Sequence, residues 1–418
     1  MLFHIPSSLH YRQFRLLWFG LMVSIAGSQM QTWALFWHIR TLTEHPIALG
    51  GVGVARIVPI IVFSLLGGAI ADVVNRRKLL FLTQTVMTLT AVGLAILTLN
   101  NQITLWQVYL LTAIQAAAAA FDIPARQSLV PNLVPKKELT NAFSMSSLAS
   151  QVGAIAGPAL SGLVIAYLGQ SYTYIFNAIS YGAVLIALAL MGDVSQQVLS
   201  ERRKNISIQS IKDGIDYILG QPIIFSSMIL DFFATFFSSA NTLMPIFARD
   251  ILKVGAVEYG WLSSAQSIGA VTAAAILSQI DNIKRQGKIL LSSVVIFGLA
   301  TIFFGTTRVF LLAMLALMII GAADSVSMII RNTIRQLQTP DYVRGRMTSI
   351  NQIFFMGGPQ LGEIEAGIVA QLFGAPIAIV TGGVGCILAV FFIGHRWKQL
   401  RFYNGDEPIL AGTKATAD

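Results

Sequence analysis

Among the ionisable residues in the apolar stretches of this 418-residue chain, Arg56, Asp122, Asp231, Asp324, Glu363 and Glu365 are candidates for chemistry. An Asp or Arg at the centre of a bilayer costs roughly 2.5–3.5 kcal/mol on insertion scales. Each therefore needs a partner, a wet cavity or neutralisation. Burial in apolar surroundings disfavours the charged form of a carboxyl, which suits reversible proton binding. Asp231 has no cation close to it in sequence, and Asp324 lies two helical turns before Arg331. Glu363 and Glu365 are two apart and point in widely different directions on a regular helix; Glu363 and Gly367, four apart, share a face. Asp231, Asp324 and Glu363 are candidates to carry a proton, and pairing with side chains distant in sequence is the alternative. Arg56 is a candidate to bind an anionic group or to pair with an acid such as Glu363. Asp122 and Arg126 are spaced for an intrahelical ion pair. With Arg331 and Arg346 they are also candidates for ion pairs that close one end of the molecule.

The elements that must position these residues are membrane helices. The chain is 55% hydrophobic and 11% charged, with a mean hydropathy of +0.70, against roughly 25% charged in a soluble domain. Twelve stretches are long enough to cross, at about 20 residues each: 14–38, 48–72, 78–99, 104–126, 143–168, 171–192, 222–249, 258–281, 288–306, 309–334, 346–372 and 375–395. The implied fold class is an all-α integral membrane protein. Assigning alternate loops to one face collects 23 of the 28 basic residues there. By the positive-inside rule both termini are cytoplasmic. This distribution, in short loops between apolar spans, argues against nucleic acid as the reason for the net charge of +9. Cys386 is the only cysteine, and the five histidines lie at span ends, in a loop or in the N-terminal segment. No cysteine-built metal site, cofactor or intramembrane enzyme centre is therefore expected. Arg12 and Arg15 precede the first apolar run with no small-residue cleavage site after it, which reads as an uncleaved first span.

A stretch repeats at an offset of 205 residues. Arg126-Gln127-Ser128 through Pro135 to Asn141-Ala142 answers to Arg331-Asn332-Thr333 through Pro340 to Arg346-Met347, and Gly153, Gly157 and Gly162 answer to Gly358, Gly362 and Gly367. The chain thus reads as two related halves, the architecture of a secondary transporter. The expected domains are a six-helix bundle at 1–192, a cytoplasmic linker at 193–221, a second six-helix bundle at 222–396 and a disordered tail at 397–418. In the linker Ile208, Ile211, Ile215 and Ile218 recur at helical spacing, for an amphipathic helix lying on the inner leaflet or packed on the protein. Trp33, Phe36 and Trp37, with Phe232, Phe233, Phe236 and Phe237, line a cavity or serve as lipid-facing and core residues.

Two strings carry a family resemblance. Gly68, Asp72, Arg76 and Arg77 stand in the turn between spans 2 and 3, with Asn75 at a position needing a residue tolerant of unusual backbone angles. This resembles the G-x-x-x-D-R-x-G-R-R loop of the major facilitator superfamily, with Val73 for the usual Arg and Asn75 for the usual Gly. In that superfamily the loop latches the two halves on the cytoplasmic side. Gly153, Gly157, Pro158 and Gly162 in span 5 allow close helix approach and a bend. They are similar to the G-x-x-x-G-P-x-x-G-G string of proton-coupled exporters, with Ser161 for the penultimate Gly. Phe121 through Arg126, Val130 through Pro135 and Leu139 through Ala142 resemble the bacterial subgroup of macrolide efflux proteins and the enterobactin exporter. Gln338-Thr339-Pro340 and Arg344-Gly345-Arg346 fit that subgroup too. Many drug–proton antiporters carry an Arg where Thr112 stands here, three before Gln115-Ala116. The resemblance implies a monomeric, multi-pass exporter of the bacterial inner membrane. It would be driven by protons without a cofactor and would move a small amphipathic drug, macrolide or siderophore. A lipid or lysophospholipid flippase and a nutrient importer are the alternatives within the fold.

Overall fold

The computed structural model describes residues 6–192, 194, 216–237, 240–280 and 283–405, and within these leaves aside the side chains of 64–69, 71–73, 240, 341–346, 348–350 and 352–356. Helices occupy each of the twelve expected stretches, and no strand occurs among the described residues. The first six are α1 (Arg12–Leu42), α2 (Ile47–Val73), α3 (Arg76–Leu99), α4 (Leu105–Leu133), α5 (Leu139–Tyr167) and α6 (Gln170–Leu190). The seventh stretch holds α7 (Pro222–Phe237), α8 (Ala240–Ile246) and a π-helical turn, Phe247–Ile251. There follow α9 (Ala256–Leu277), α10 (Gln286–Thr306), α11 (Phe310–Leu337), α12 (Asp341–Phe373), α13 (Ala375–Arg396) and a short α14 (Lys398–Phe402). Among the described residues eight helices are both long and apolar enough to cross a membrane.

The two halves fold by the same pairings. In the first, α1 packs on α5 and α6, α3 on α4 and α6, and α2 on α4. In the second, α7 packs on α12 and α13, and α10 on α11 and α13. The remaining pairing, α9 on α11, is made through two glycines: Gly269 lies on the backbone of Met318, and Gly321 on that of Gln266. Between apolar helices in lipid there is little hydrophobic driving force, so backbone approach through small residues supplies the packing. The repeat extends to the turns. Gly169 before α6 and Gly374 before α13 are 205 apart and take φ of +95° and +88°, a region costly for other L-residues.

The chain divides into two compact units, Met1–Arg202 with Lys253–Ser264, and Arg203–Leu252 with Ala265–Asp418. The first half of α9 therefore belongs to the first unit, which the sequence boundaries did not anticipate. Its reason is a close contact: a Cβ on Gly260 would lie 2.8 Å from the Pro158 carbonyl oxygen and 2.9 Å from Gly162 Cα. The expected linker helix falls mostly outside the described residues, Ile208, Ile211 and Ile215 included. Ile218 is buried with Ile224, Met228 and Met347, so that end of the segment packs on protein.

Residues 397–405, expected within a disordered tail, are ordered instead. Leu400 and Tyr403 are fully buried in the core of the second unit. The Tyr403 carbonyl accepts from the Gly287 N–H at 2.9 Å, and its hydroxyl accepts from Gln338 Nε2 at 3.2 Å. Trp397, Leu400 and Tyr403 recur every third residue, a signal too short to be set apart from a tail. Residues 406–418 lie outside the described residues.

Candidate functional site

The α2–α3 turn is built from α3 backwards. Asn75 takes an ordinary extended backbone (φ −62°), so the turn does not use its tolerance of unusual backbone angles. It is the N-cap of α3, its Oδ1 accepting from the Lys78 N–H at 3.1 Å, which satisfies one of the donors a helix start leaves open. Arg77 turns onto the end of α6, donating from Nε to the Leu188 carbonyl at 2.7 Å and from Nη2 to Ala189 at 3.3 Å. Arg12 and Gln13 from the start of α1 take the next two carbonyls, Leu190 at 3.5 Å and Met191 at 3.2 Å. A cation at a helix C-terminus meets the negative end of its dipole. Arg76 is buried and donates to Asn132 Oδ1 at 3.2 Å, tying α3 to the end of α4. The side chains of Gly68 and Asp72 lie outside the described residues.

The α5 glycines divide between two neighbours. A Cβ on Gly153 would stand 2.6 Å from Ile25 Cγ2, and one on Gly157 2.5 Å from Gln29 Cβ and 2.9 Å from the Ala26 carbonyl, all on α1. Gly162 and Pro158 face α9 instead, at Ala256 and Gly260. Around the same contact Ser264 Oγ donates to the Ile155 carbonyl, and Tyr259 Oη to that of Trp33, each at 2.9 Å. Trp33 and Trp37 pack on the Tyr259 ring with centroids 6.0 and 5.0 Å away. Of the α1 aromatics, Phe36 is buried, and Trp33 and Trp37 are half-buried. Arg56 lies with its guanidinium 5.5 Å from the centroid of Phe36, within cation–π range.

Each unit holds a buried carboxylate–arginine cluster, differently assembled. In the first, Asp122 is fully buried; Oδ1 accepts from Thr83 Oγ1 at 2.9 Å and Gln84 Nε2 at 2.8 Å, and Oδ2 from Arg126 one turn on. The intrahelical ion pair expected from the spacing is present. In the second unit Arg331, the repeat counterpart of Arg126, has Ser327 where the first has Asp122. Its carboxylate comes from another helix: Asp231 on α7 lies 3.1 Å from Arg331 and accepts from Arg335 Nη2 at 2.8 Å. The absence of a cation near Asp231 in sequence thus misled, because both partners stand a hundred or more residues away. Arg335 also donates to Ser227 Oγ and carbonyl, both at 3.3 Å, and to Asn351 Oδ1 at 2.5 Å. Among the described residues Arg331 is met by ion pairs, and its Nε and Nη1 are buried without a hydrogen bond. Asp324 stands 3.8 Å from Arg331 Nη2, and its side chain is 44% exposed against 3% for Asp231. Glu363 and Glu365 are half-buried on α12. Arg346 falls outside the described side chains, so the structure places Arg331 with Asp231 and Asp324 and leaves its grouping with Arg346 undescribed.

Comparison with known proteins agrees with this architecture. A family model described as "Transmembrane secretion effector" matches residues 6–408. The chain is 25% identical over 383 residues to the staphyloferrin A transporter of Staphylococcus aureus, covering 90% of this chain and 94% of that protein. It is 24% identical over 348 residues to the enterobactin exporter EntS of Citrobacter koseri, covering 83% of each. Among solved structures it resembles a bacterial homolog of the human lysosomal transporter Spinster in an inward-facing, occupied conformation. The TM-score is 0.74 at 14% identity, over 94% of this chain and 98% of that one; that likeness is one of fold.

Proposed function

The chain belongs to the Transmembrane secretion effector family of the major facilitator superfamily, a multi-pass membrane transporter and not an enzyme, and from that premise we propose that it is a proton-coupled exporter of small amphipathic molecules. A siderophore is the first candidate cargo and a macrolide or other drug the second. It works by alternating access as a monomer in the bacterial inner membrane, with both termini cytoplasmic and no cofactor beyond the proton gradient. Export is supported by the α5 string, whose glycines and Pro158 seat α5 on α1 and α9 at backbone distance, and by relatives named for siderophore transport and export.

The observation that carries the coupling is the difference between Asp231 and Asp324. Asp231 is buried between two arginines; Asp324 is half exposed at the longer 3.8 Å from one of them. A proton carrier must be reached by water and must let go of its cation, so Asp324 takes that role, with Arg331 as the group it releases. Asp122, Arg126, Asp231 and Arg335 hold the ends of the bundles, as do Arg76 and Arg77. Glu363 and Arg56 are the remaining candidates for cargo contact.

Everted membrane vesicles with an imposed pH gradient test the reading. Wild type is expected to accumulate enterobactin or erythromycin, and Asp324→Asn to lose gradient-driven accumulation while keeping counterflow exchange. Uptake of a nutrient by right-side-out vesicles, with no accumulation of any candidate cargo in everted ones, would overturn export.

A further inference from the structure

The first unit contains a directed chain of side-chain hydrogen bonds. Asn177 Nδ2 donates to Gln31 Oε1, Gln31 Nε2 to Gln115 Oε1, and Gln115 Nε2 to Tyr181 Oη, each at 2.7 Å. Ser28 Oγ donates to the same phenol at 3.0 Å. Three helices supply the chain: α6, α1 and α4. Asn177, Gln31 and Tyr181 are buried, whereas Ser28 and Gln115 are half exposed.

The depth of the chain follows from the helix lengths. Gln31 stands eleven residues before Leu42, Gln115 ten after Leu105, and Tyr181 eleven after Gln170. Those three helix ends share one side of an up-and-down bundle, so at ~1.5 Å per residue all three side chains lie roughly 15–17 Å from that side. That is the middle of a hydrocarbon core about 30 Å thick.

Partly exposed polar side chains at this depth, such as Ser28 and Gln115, have two possible surroundings. Facing hydrocarbon, each unmet group costs roughly 4–8 kcal/mol on a cyclohexane scale. Facing water, it costs almost nothing. The exposed edge of Ser28 and Gln115 therefore meets water. The buried members fix the Gln115 amide, because its oxygen is engaged by Gln31 and its nitrogen by Tyr181. One N–H and one oxygen lone pair of Gln115, and the lone pairs of Ser28, remain to be used. None of these groups is ionised. The carboxylate of Asp122 is already met by Thr83, Gln84 and Arg126. The edge is thus complementary to an uncharged group that both donates and accepts.

We infer that Ser28 and Gln115, held in place by the buried Tyr181 and Gln31, form a water-facing cargo-contact site in the first unit that takes an uncharged hydrogen-bonding group: a hydroxyl, an amide or an ester carbonyl. The site rests on the chain being a small-molecule transporter, and not on the direction of transport or on proton coupling.

Thiol labelling tests it. Cys386 is the only cysteine and is fully buried, so wild type supplies the blank. Purified Ser28→Cys in proteoliposomes is compared with Ile114→Cys, an exposed position beside Gln115 on α4. A charged, membrane-impermeant methanethiosulfonate should label Ser28→Cys roughly tenfold faster, because only a solvated thiolate reacts. Enterobactin or erythromycin, whichever the proteoliposomes transport, should slow that labelling, and Gln115→Leu should weaken the protection. Equal rates at the two positions leave Ser28 no more solvated than the apolar Ile114 position and overturn the site. A transported compound that leaves the labelling rate unchanged overturns it as well. If neither compound is transported, the proposed cargo is wrong, and the two labelling rates alone decide the site.

Discussion

Replacing Asp231 by Asn is the sharpest perturbation of the second unit. The carboxylate receives Arg335 at 2.8 Å and lies 3.1 Å from Arg331, with all three side chains 3% exposed. At an effective dielectric near 20, each contact at ~3 Å is worth on the order of 5 kcal/mol before desolvation. Removing one partner of a buried pair leaves an uncompensated charge, and the measured cost of that is about 3–5 kcal/mol. Asp231→Asn should therefore lower unfolding free energy by about 3–5 kcal/mol, read from SDS titration of the protein in mixed micelles. The double variant Asp231→Asn/Arg335→Gln removes one charge of each sign and should recover about half of the loss, a coupling of the size expected for groups in direct contact. Asp324→Asn is the contrast. Its contact is longer and its side chain 44% exposed, so its stability effect should stay within about 1 kcal/mol. If Asp231→Asn is as mild as Asp324→Asn, the two-arginine cluster does not hold α7 to α11, and the assignment of proton carrying to Asp324 over Asp231 falls with it.

Three further outcomes follow from particular contacts. Gly157→Ala should cost about 1–3 kcal/mol, since the new methyl would meet Gln29 Cβ at 2.5 Å; Gly182→Ala on α6, where nothing lies within 4 Å, should be neutral or stabilising by up to about 1 kcal/mol, both read from the same SDS titration. Deleting residues 406–418 should leave size-exclusion behaviour unchanged, whereas deleting 397–418 removes the buried Leu400 and Tyr403, each worth about 1.5–3 kcal/mol, and should yield aggregated protein. Arg77→Ala frees the carbonyls of Leu188 and Ala189; at about 1.5–3 kcal/mol per hydrogen bond to a charged group, it should accelerate hydrogen exchange at the end of α6 measurably more than at its start.

Periodic features were legible in the sequence because they are local. The apolar stretches predicted where the helices lie, the 205-residue repeat implied two related halves, and the i, i+4 spacing of Asp122 and Arg126 predicted their ion pair. The side chains that meet across helices were not legible. Asp231 and Arg335 are 104 residues apart, and Asn177, Gln31 and Gln115 come from three helices with no common spacing. Arg76 and Arg77 were recognisable as a loop signature, but a signature does not say that Arg77 would cap α6 within its own unit. Leu400 and Tyr403 stand in a short mixed run of apolar and charged residues, where only tertiary contact distinguishes an anchor from a tail.

The repeat also shows where the halves had freedom to diverge. In the first, Arg126 and Asp122 sit on one helix, so α4 can shift against α3 without separating the two charges. In the second, Ser327 occupies the equivalent of Asp122, and the arginines of α11 are met by Asp231 from α7. Any displacement of α11 from α7 must stretch an ion pair in a low-dielectric interior, at a cost of several kcal/mol. Asp324, on α11 itself, moves with Arg331 and can take over the cation when Asp231 loses it. A charge exchange of that kind joins helix movement to the state of one accessible carboxyl, which a self-contained pair like Asp122–Arg126 cannot do. On the proposed reading, the second half is where proton and movement are coupled, and the first half, with its uncharged Ser28–Gln115 edge, is where cargo is met.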